Sequence, residues 1–365
     1  MKFSASRETV LKPLSAVIGV VERRQTMPIL AHVLVSAQDG KLTMTATDLE
    51  VELRAEVEVD IEVAGEVTVP GRKLYDICRA LPDGAAVEIS LSSGRATLKA
   101  GRSRFTLSTL RAADFPVVDE VAVQQTLKLA RQDVKRLLEK TQFSMAQQDV
   151  RYYLNGLLLE TADGTLRAVA TDGHRLALAE IPMEASAERA GQVIVPRKGV
   201  LELLRLVEGD GDVEISLGSN HIRVEADDIR FTSKLIDGRF PDYDKVVPND
   251  PGNVVLADRA SLRAGLQRAA ILSNEKYRGV RLTLEENRVT MQANNPEQEE
   301  AEEELEVSYS GDSMEIGFNV NYLLDALSAV DSDEVELGVS DPNSSCLIKT
   351  PGQRDNRFVV MPMRL

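Results

Sequence analysis

The spacing of apolar residues along the chain predicts the same amphipathic helix three times. Val69-Pro70 and Val195-Pro196 each precede a segment with apolar residues at i, i+3, i+4 and i+7, which form one face of an α-helix. A third segment has this spacing without the Val-Pro pair. The apolar positions are Leu74, Ile77, Cys78 and Leu81, then Val200, Leu203, Leu204 and Val207, then Leu323, Ala326, Leu327 and Val330. Such recurrence indicates an internal repeat.

Two shorter motifs recur in the same three parts of the chain. A strand-like run of alternating polarity ends each time in a turn motif, and an Arg-Phe pair begins each last strand. The turn motifs are Ala46-Thr47-Asp48, Ala170-Thr171-Asp172 and Ala293-Asn294-Asn295, and the pairs are Arg104-Phe105, Arg230-Phe231 and Arg357-Phe358. We therefore predict three related domains, 1–122, 123–247 and 248–365.

Each predicted domain contains two helices and several strands. The opening helices are predicted at 8–21, 131–140 and 258–270, and the second helices at 72–80, 197–206 and 319–330. Alternation elsewhere, as at 87–91 and 213–217, predicts antiparallel strands with one buried face. The fold class is therefore α+β, with two helices backed by antiparallel sheet in each domain. Such copies can be stacked edge to edge into an arc, and two chains joined head to tail would close a ring.

The charge of the chain is distributed unevenly. The 365 residues carry a formal net charge of −15, which argues against a conventional nucleic-acid binder. The helical segments 7–17, 72–80, 131–140, 197–206, 258–270 and 319–330 nevertheless sum to +8, which leaves −23 for the strands and loops. Their outer faces are predicted to include Arg131, Lys135, Arg259 and Arg263. We expect the basic helix faces to line the inside of the ring and the acidic sheets its outside.

The two cysteines, Cys78 and Cys346, are far apart in the sequence, and Cys78 lies on an apolar helix face. We therefore expect no disulfide, no metal site and no cofactor, and a reducing cytoplasmic location. The apolar run at 10–21 is interrupted by Lys12 and Pro13, and no small-residue cleavage site follows it. We expect neither a signal peptide nor a membrane span.

Eight stretches spread over the whole chain resemble the bacterial sliding clamps, the beta subunits of the replicative DNA polymerase. They are TDLEVE at 47–52, GRSRFTLSTL at 101–110, QDVRYYLNG at 148–156, ATDGHRLA at 170–177, FTSKLIDGRFPDY at 231–243, AAILSNEKYRGVRL at 269–282, NNPEQEEAEE at 294–303 and VVMPMRL at 359–365. The resemblance implies a head-to-tail homodimeric ring that encircles duplex DNA without reading its sequence. It also implies tethering of the replicative polymerase, other polymerases and repair proteins, loading by an ATPase, and no catalytic site.

Basic residues on or near the helices are the first candidates for contact with DNA. Several occupy the same positions in two repeats, although a solvated helix face is the alternative. The resemblance adds Gln148 and two tyrosines, whose rings can stack on unpaired bases; for Tyr153 a core position is equally open. The predicted set is Arg24, Arg72, Arg79, Gln148, Tyr152, Tyr153, Arg197, Lys198 and Arg205.

The resemblance further implies an apolar cleft that accepts a Leu or Phe side chain from short partner peptides. Lys245 departs from the family pattern, which often has Arg there, and Asp244 lies beside it. The implied cleft residues are Leu154, Thr171, Gly173, His174, Arg175, Leu176, Pro241, Lys245, Val246, Ser345, Val359, Val360, Met361, Pro362, Met363, Arg364 and Leu365.

An acidic run and a basic edge, on different repeats, are candidates for a head-to-tail contact. A solvated acidic segment is the alternative for the run, and the resemblance supports the contact. The predicted interface residues are Lys73, Arg102, Arg104, Phe105, Leu107, Ile271, Leu272, Glu297, Glu299, Glu300, Glu302 and Glu303.

Two other functions compete with the clamp. Asp172 and His174 could serve a hydrolase, but the equivalent loops carry Asp48-Leu49 and Asn295-Pro296, and no nucleophile motif or metal-spaced ligand set accompanies them. A repeat-built scaffold that binds only proteins is the second alternative.

Overall fold

The computed structural model describes residues 1–21, 27–118, 121–162, 164–183 and 191–364. Its helices are α1 (Arg7–Val17), α2 (Gly71–Ala80), α3 (Arg131–Thr141), α4 (Arg197–Leu206), α5 (Arg259–Ala269) and α6 (Val320–Ala329). The strands of the first repeat are β1 (Lys2–Ser6), β2 (His32–Gln38), β3 (Lys41–Thr47), β4 (Val51–Glu58), β5 (Asp60–Val63), β6 (Gly65–Pro70), β7 (Ala86–Ser92), β8 (Arg95–Ala100) and β9 (Ser103–Ser108). Those of the second are β10 (Val123–Ala130), β11 (Gly156–Ala162), β12 (Thr165–Thr171), β13 (Arg175–Pro182), β14 (Gly191–Pro196), β15 (Asp212–Gly218), β16 (His221–Ala226) and β17 (Ile229–Lys234). Those of the third are β18 (Asn253–Asp258), β19 (Gly279–Glu285), β20 (Arg288–Asn294), β21 (Glu300–Glu306), β22 (Met314–Asn319), β23 (Glu334–Val339), β24 (Cys346–Lys349) and β25 (Asn356–Val360).

Within these described ranges the strands form four antiparallel sheets, which confirms the predicted α+β class. Their orders are β5-β1-β7-β8-β9, β10-β15-β16-β17-β4-β3-β2-β6, β14-β11-β12-β13-β25-β24-β23-β18 and β21-β20-β19-β22. Neighbouring repeats are therefore joined inside a sheet, through β4 with β17 and through β13 with β25.

The two junctions between repeats share one register. Phe231 on β17 lies opposite Leu53 on β4, and Phe358 on β25 lies opposite Ala177 on β13. Both phenylalanines belong to the recurring Arg-Phe pairs, and both are fully buried. The repeated motif therefore marks the strand through which one repeat is joined to the next.

The chain divides into two compact units. The first comprises Met1–Lys135 and Lys198–Leu235, and the second comprises Arg136–Arg197 and Ile236–Leu365. The first unit contains the five-stranded sheet and the eight-stranded sheet that begins with β10, and the second contains the other two sheets. The division passes through the middle repeat, because that repeat contributes four strands to each eight-stranded sheet. The predicted limits 1–122, 123–247 and 248–365 follow the sequence repeats instead.

The predicted apolar helix faces form the cores. Leu14 on α1 and Leu266 on α5 are fully buried, as is Leu323 on α6, whereas Ile77 and Leu204 are only half-buried. Burying a leucine side chain contributes about 1.5–3 kcal/mol. Packing of these faces against the sheets therefore supplies much of the stability of helices that are only 10 or 11 residues long.

Helix α1 ends four residues earlier than the predicted limit of 21. The next residues include Gly19, where a Cβ would lie 2.7 Å from Arg205 Nη1 and from Glu202 Oε2. Glycine is a poor helix former, and here it permits a close approach of side chains from α4. Val21 is buried beyond the end of the helix.

The first residue of each opening helix is an arginine that holds the loop after the second helix. The N–H groups of Arg7, Arg131 and Arg259 donate to the carbonyls of Ala85, Gly211 and Asp333. The Nε atoms of the same arginines donate to the carbonyls of Cys78, Asp212 and Ser332. Arg131 is buried and Arg259 is half-buried. The prediction that these two lie on an exposed basic face is therefore wrong, because their donors satisfy carbonyls at and beyond helix ends.

Among the described residues, no helix is long and apolar enough to cross a membrane. Within the same ranges, no group of three or more His, Cys, Asp or Glu side chains could hold a metal ion. The thiols of Cys78 and Cys346 are free and buried, and burial raises their pKa values to about 11 and about 12.

Candidate functional site

The loop between β12 and β13 is a turn built by its own polar side chains. Thr171 Oγ1 donates to the carbonyl of Arg175 (2.6 Å) and accepts the N–H of Gly173 (3.1 Å). Asp172 Oδ1 accepts the N–H groups of His174 (2.9 Å) and Arg175 (3.0 Å). Gly173 has a φ of +87°, in the left-handed region that favours glycine. These contacts fix the backbone on which the predicted cleft residues 173–176 stand.

Arg175 ties this loop to α6. Its side chain donates to Asp325, to the carbonyl of Phe143 (2.7 Å) and to Asp172 Oδ2 (3.2 Å). Its guanidinium lies 4.6 Å from the ring centroid of Tyr322. Only 14% of the side chain is exposed, so Arg175 supports the wall of the site more than it presents a free charge.

The terminal segment, residues 359–364, lies beside the same loop. The N–H of Met361 donates to the carbonyl of His174 (3.0 Å), and the N–H of Met363 donates to the carbonyl of Gly317 (2.8 Å). Leu176 and Val359 lie opposite each other on β13 and β25. The structure therefore brings together the loop and the terminal segment, which are far apart in the sequence.

Leu176 and Val359 belong to an apolar cluster that includes the segment at 240–247. The half-buried Val246 and Tyr153 pack against it. The other buried members are Leu158, Val169, Leu178, Ile194, Phe240, Tyr243, Val247 and Leu347. Val360 instead packs in the core of the third repeat, because successive residues of a strand face opposite sides. The predicted cleft residues Leu176, Val359 and Val246 therefore belong to, or pack against, one apolar cluster.

The remaining predicted cleft residues differ in exposure. Pro241 and Lys245 are exposed, Ser345 is half-buried and Leu154 is fully buried. Lys245 pairs with Asp242 (2.8 Å), and this hydrogen bond raises the pKa of Lys245. Met361, Pro362 and Met363 are half-buried, and Arg364 is exposed. Leu365 lies outside the described residues.

Several arginines and lysines predicted to contact DNA have partners within the chain. Arg205 donates to both carboxylate oxygens of Glu202 (2.9 and 3.1 Å), and Lys198 pairs with Asp48. Arg72 donates to the carbonyl of Val21 (2.8 Å). Arg79 is exposed and lies 5.5 Å from the ring centroid of Tyr75. Arg197 is half-buried, and Arg24 lies outside the described residues.

The segment at 148–153 presents one tyrosine to solvent and directs the other inward. Tyr152 is 58% exposed, whereas Tyr153 is half-buried against the apolar cluster. Their ring centroids are 5.9 Å apart in an edge-to-face arrangement. Gln148 has a φ of +57°. Part of the Tyr153 ring is therefore buried against the core, whereas more of the Tyr152 ring is exposed to solvent.

Edge strands β9 and β21 carry six of the twelve predicted interface residues. On β9, Arg104 is exposed, Phe105 is half-buried and Leu107 is 8% exposed. Lys73 and Arg102 are also exposed. Both strands stand at the end of their sheet order, so that, among the residues that the structure describes, one row of backbone groups has no neighbouring strand.

Glu300, Glu302 and Glu303 of the acidic run lie on strand β21, where Glu300 and Glu302 are exposed and Glu303 is half-buried. On β21, Glu302 accepts a hydrogen bond from Gln292 (2.7 Å), and Glu303 is held by Arg268 (2.8 and 2.7 Å). Glu297, Glu299 and Glu300 are exposed. Near this strand, Ile271 is 76% exposed and Leu272 is half-buried.

Three family models cover nearly the whole chain. They describe the N-terminal, central and C-terminal domains of the DNA polymerase III beta subunit, and they match residues 1–119, 128–242 and 244–364. The chain belongs to the DNA polymerase III beta subunit family. It functions as a DNA sliding clamp, a processivity factor without catalytic activity.

Relatives and solved structures agree over the full length of the clamp. A "Beta sliding clamp" from Pseudomonas putida is 54% identical over 368 residues, with 100% of both chains covered. A crystal structure of the DNA polymerase III subunit beta from Pseudomonas aeruginosa has a TM-score of 0.98 at 52% identity. A sliding clamp from the same organism bound to griselimycin has a TM-score of 0.97 at 53% identity. Each structure covers 100% of this clamp and is itself covered to 100%.

The structure of the clamp gives Asp172 a role in the turn. Asp48 in the first repeat likewise accepts two backbone N–H groups, from Glu50 and Val51, without a neighbouring histidine. The turn therefore explains the pair Asp172 and His174 without a hydrolase, in agreement with the family.

One polar network beside the clamp's apolar cluster was missed in the sequence. Tyr243 donates to Glu160, and Arg167 donates to the Tyr243 hydroxyl (2.8 Å), to Glu160 (3.0 Å) and to Glu180 (3.0 Å). Burial, followed by the bond to Glu160, raises the pKa of Tyr243 to about 12. The sequence did contain a signal for this network. The first repeat has the apolar Val118 at the position of Tyr243, so the second repeat places a hydroxyl where the first has none.

Proposed function

We propose that the clamp acts as a homodimeric ring, closed head to tail around duplex DNA, that tethers polymerases and repair proteins. The observation that carries this proposal is that β9 in the first repeat and β21 in the third each lie at the end of a sheet. Inside the chain, repeats are joined by strands at the equivalent positions. Pairing of β9 with β21 of a second copy would join two chains in the way that neighbouring repeats are joined within one chain. We call this proposed contact between chains the seam.

The shared register of the internal junctions supports a specific alignment of the seam. Ala301 is the equivalent of Leu53 and Ala177, because each lies opposite the alanine of its own turn motif. The same register would place Phe105 of the partner subunit opposite Ala301. Phe105 is half-buried, whereas its equivalents at the internal junctions are fully buried. Seam formation would therefore remove apolar surface from water.

Charges flank this apolar contact. In the proposed register, the partner's Arg104 lies opposite Glu302. Exposed ion pairs contribute only about 0–1 kcal/mol each, so we assign them mainly to alignment. Ile271 and Leu272 would add further apolar contact at the same edge.

We infer that the apolar cluster around Leu176, Val359 and Val246 receives a Leu or Phe side chain from partner peptides. The half-buried methionines and Pro362 of the terminal segment form an adaptable apolar rim. Griselimycin, which is bound by a relative from P. aeruginosa, is a suitable probe. We expect it to bind this cluster and to lose affinity when Val246 is replaced by aspartate.

We assign contact with DNA to the exposed Arg79 and Tyr152, with Arg24, Arg72, Gln148, Arg197, Lys198 and Arg205. Lys and Arg attract phosphates without reading sequence, and the attraction weakens with salt. The intramolecular carboxylate partners of Lys198 and Arg205 reduce the charge available to DNA. Topology would then retain the clamp on DNA even when this attraction is weak.

A loading ATPase is the partner that a closed ring requires, and this chain has no phosphate-binding glycine loop of its own. We also retain the cytoplasmic location and the domain limits 1–122, 123–247 and 248–365 as proposals. The family models, which end at 119, 242 and 364, support limits close to these.

Retention on circular DNA tests the proposal. The clamp is loaded onto nicked circular DNA by a clamp loader with ATP and passed through gel filtration at high salt, before and after the DNA is linearised. We expect retention on circles and release from lines, because a ring can leave only over an end. Equal loss from both forms, with a loader shown to be active, would leave the protein-only scaffold as the better account.

A further inference from the structure

Asp149 holds the segment at 148–153 in a fixed shape. Its carboxylate accepts the backbone N–H of Arg151 (2.8 Å), Arg151 Nε (3.1 Å) and Arg151 Nη2 (2.9 Å). Its backbone N–H and carbonyl bond to the side-chain amide of Asn155, each at 2.9 Å. The bonds from Arg151 hold the pKa of Asp149 at about 2. The carboxylate therefore remains charged at any pH of interest.

The other side of Arg151 lies against the cleft loop. Arg151 Nη2 donates to the carbonyl of Asp172 (3.3 Å). A Cβ on Gly173 would lie 3.0 Å from both Nη1 and Nη2. The next residue, His174, holds the terminal segment through its carbonyl, which accepts the N–H of Met361. One guanidinium thus connects the segment with the loop and, through the loop, with the rim of the cleft.

We propose that Arg151 is a positioning residue that fixes the 172–174 loop and links the DNA-facing segment to the partner cleft. This inference rests on the proposed function, since it takes the segment as a DNA contact and the loop as a cleft wall. The side chain of Arg151 is 47% exposed, so DNA that contacts the segment can reach its guanidinium. A phosphate would compete with Asp149 and the Asp172 carbonyl for the same donors.

The expected consequence is reciprocal coupling between the two sites. If DNA shifts Arg151, the affinity of the cleft changes, and occupation of the cleft must change the affinity for DNA by the same factor. Arginine suits this role because its planar fork can donate in two directions at once, which a lysine ammonium does less well.

The test measures griselimycin affinity by calorimetry on the free full-length protein. Arg151→Ala is expected to weaken binding by about three- to tenfold, the change that corresponds to about one net hydrogen bond. Arg288→Ala is the matched control, because Arg288 also donates to a carboxylate close in sequence, Glu285 (3.0 Å), but its carboxylate partners, Glu285 and Glu304, lie on β19 and β21 and not in the cleft loop. The control is expected to bind as the parent does. Thermal unfolding of all three proteins identifies a general loss of structure.

Two further measurements separate positioning from mere stability. Griselimycin affinity of the parent is expected to differ between free and DNA-loaded protein, and Arg151→Ala is expected to abolish that difference. Gly173→Ala disfavours the loop in two ways, through the positive φ at residue 173 and through the close contact of its Cβ with the guanidinium of Arg151. The second contact is absent in the Arg151→Ala background, so Gly173→Ala is expected to weaken binding less there than in the parent.

The inference and the proposed function fail in different ways. A parent that binds griselimycin and is retained on circles, but whose affinity is unaffected by DNA or by Arg151→Ala, would overturn the inference alone. A parent that is not retained on circular DNA would overturn the proposed function first.

Discussion

The hydroxyl of Tyr243 shows how much a single buried polar group can support in this clamp. It stands between Glu160 and Arg167 beside the apolar cluster that we assign to partner binding. Because the hydroxyl is buried and bonds to both Glu160 and Arg167, its removal leaves each of these side chains with one hydrogen bond fewer.

Tyr243→Phe is therefore expected to lower the free energy of unfolding of the second unit by about 1–2 kcal/mol. The midpoint of urea denaturation, followed by a probe in that unit, measures the change. Tyr277→Phe is the control, because Tyr277 is 57% exposed, and its midpoint is expected to remain at the parental value. Equal shifts in both variants would contradict a specific role for the network.

His32 makes the stability of the first unit depend on pH. The imidazole is buried and lies 3.0 Å from Thr68 Oγ1, and burial, with a smaller effect of Lys73, lowers its pKa. The unfolded chain therefore takes up a proton at about pH 6.5, whereas the folded chain does so only at a lower pH. The contribution of the neutral ring is fully present above about pH 6.5 and is lost as the pH falls towards the folded pKa.

We accordingly expect the urea midpoint of the first unit to fall between pH 7.5 and pH 5, and to fall less in His32→Gln. The difference in slope between parent and variant isolates this histidine from the many carboxylates. A variant slope as steep as that of the parent would exclude His32 as the cause.

The sequence could not predict which distant residue forms an ion pair with a given charged side chain. The helical spacing correctly placed Lys198 and Arg205 away from the apolar stripe, and Arg205 pairs with Glu202 three residues earlier on the same helix. The partner of Lys198, in contrast, depends on the tertiary fold. Asp48 lies in another repeat, and Glu202 is only 7% exposed although it shares a helix face with Lys198 and Arg205. Local periodicity determines which side of a helix is apolar, whereas it carries no information on which distant residue approaches it.

At the scale of elements, β21 had a readable signal. The segment Glu300–Glu306 alternates exposed glutamates with the half-buried Ala301, Glu303 and Leu305. This period of two is the pattern of a strand with one covered face. Composition suggested a solvated run because glutamate disfavours strands, but pairing with β20 and packing of the covered face outweigh that preference.

The proposed seam between β9 and β21 predicts a charge exchange that depends on register. Arg104→Glu is expected to shift the clamp towards monomer, because it places a carboxylate opposite Glu302. Adding Glu302→Arg in the same chain is expected to restore the dimer, since the pair is then reversed but intact. Sedimentation equilibrium of the three proteins measures the dissociation constants.

Glu300→Arg supplies the control for this exchange. Glu300 lies two residues from Glu302 on the same strand and carries the same charge. In the Arg104→Glu background it is expected to restore less of the dimer than Glu302→Arg does. If Glu300→Arg restored more of the dimer than Glu302→Arg, the strands would pair in a different register from the internal junctions.

At the scale of the whole molecule, tethering and encirclement depend on different parts. The candidate cleft is built entirely from residues of the second unit, so a monomer contains it complete. Encirclement requires both edges and a second copy.

Ile271→Asp is expected to separate the two functions. The side chain is 76% exposed, so the fold should tolerate the change, whereas the proposed seam would bury a charge. We expect a monomer that binds griselimycin with parental affinity and is not retained on circular DNA. Calorimetry and the retention assay report the two outcomes, and retention by a monomeric variant would contradict topological closure.

The repeats and the family could be read from the sequence, whereas the division into units could not. Repeats are a property of order along the chain, and motifs such as the Arg-Phe pairs preserve it. Which strands complete which sheet depends on pairing across repeats, and the middle repeat contributes four strands to each side. The arginines that begin α3 and α5 were misassigned for the same reason, since their carbonyl partners follow helices in the second half of each repeat.

The joining of neighbouring repeats through β4 with β17 and β13 with β25 has a consequence for dilution. Those two junctions are intramolecular, so their effective concentration is fixed by the chain and does not fall with the amount of protein present. In the proposed ring, only the contact between β9 and β21 would obey mass action. At low protein concentration the proposed ring would therefore open only at the contacts between β9 and β21. Each chain would keep its internal junctions and could pair again when the concentration rises.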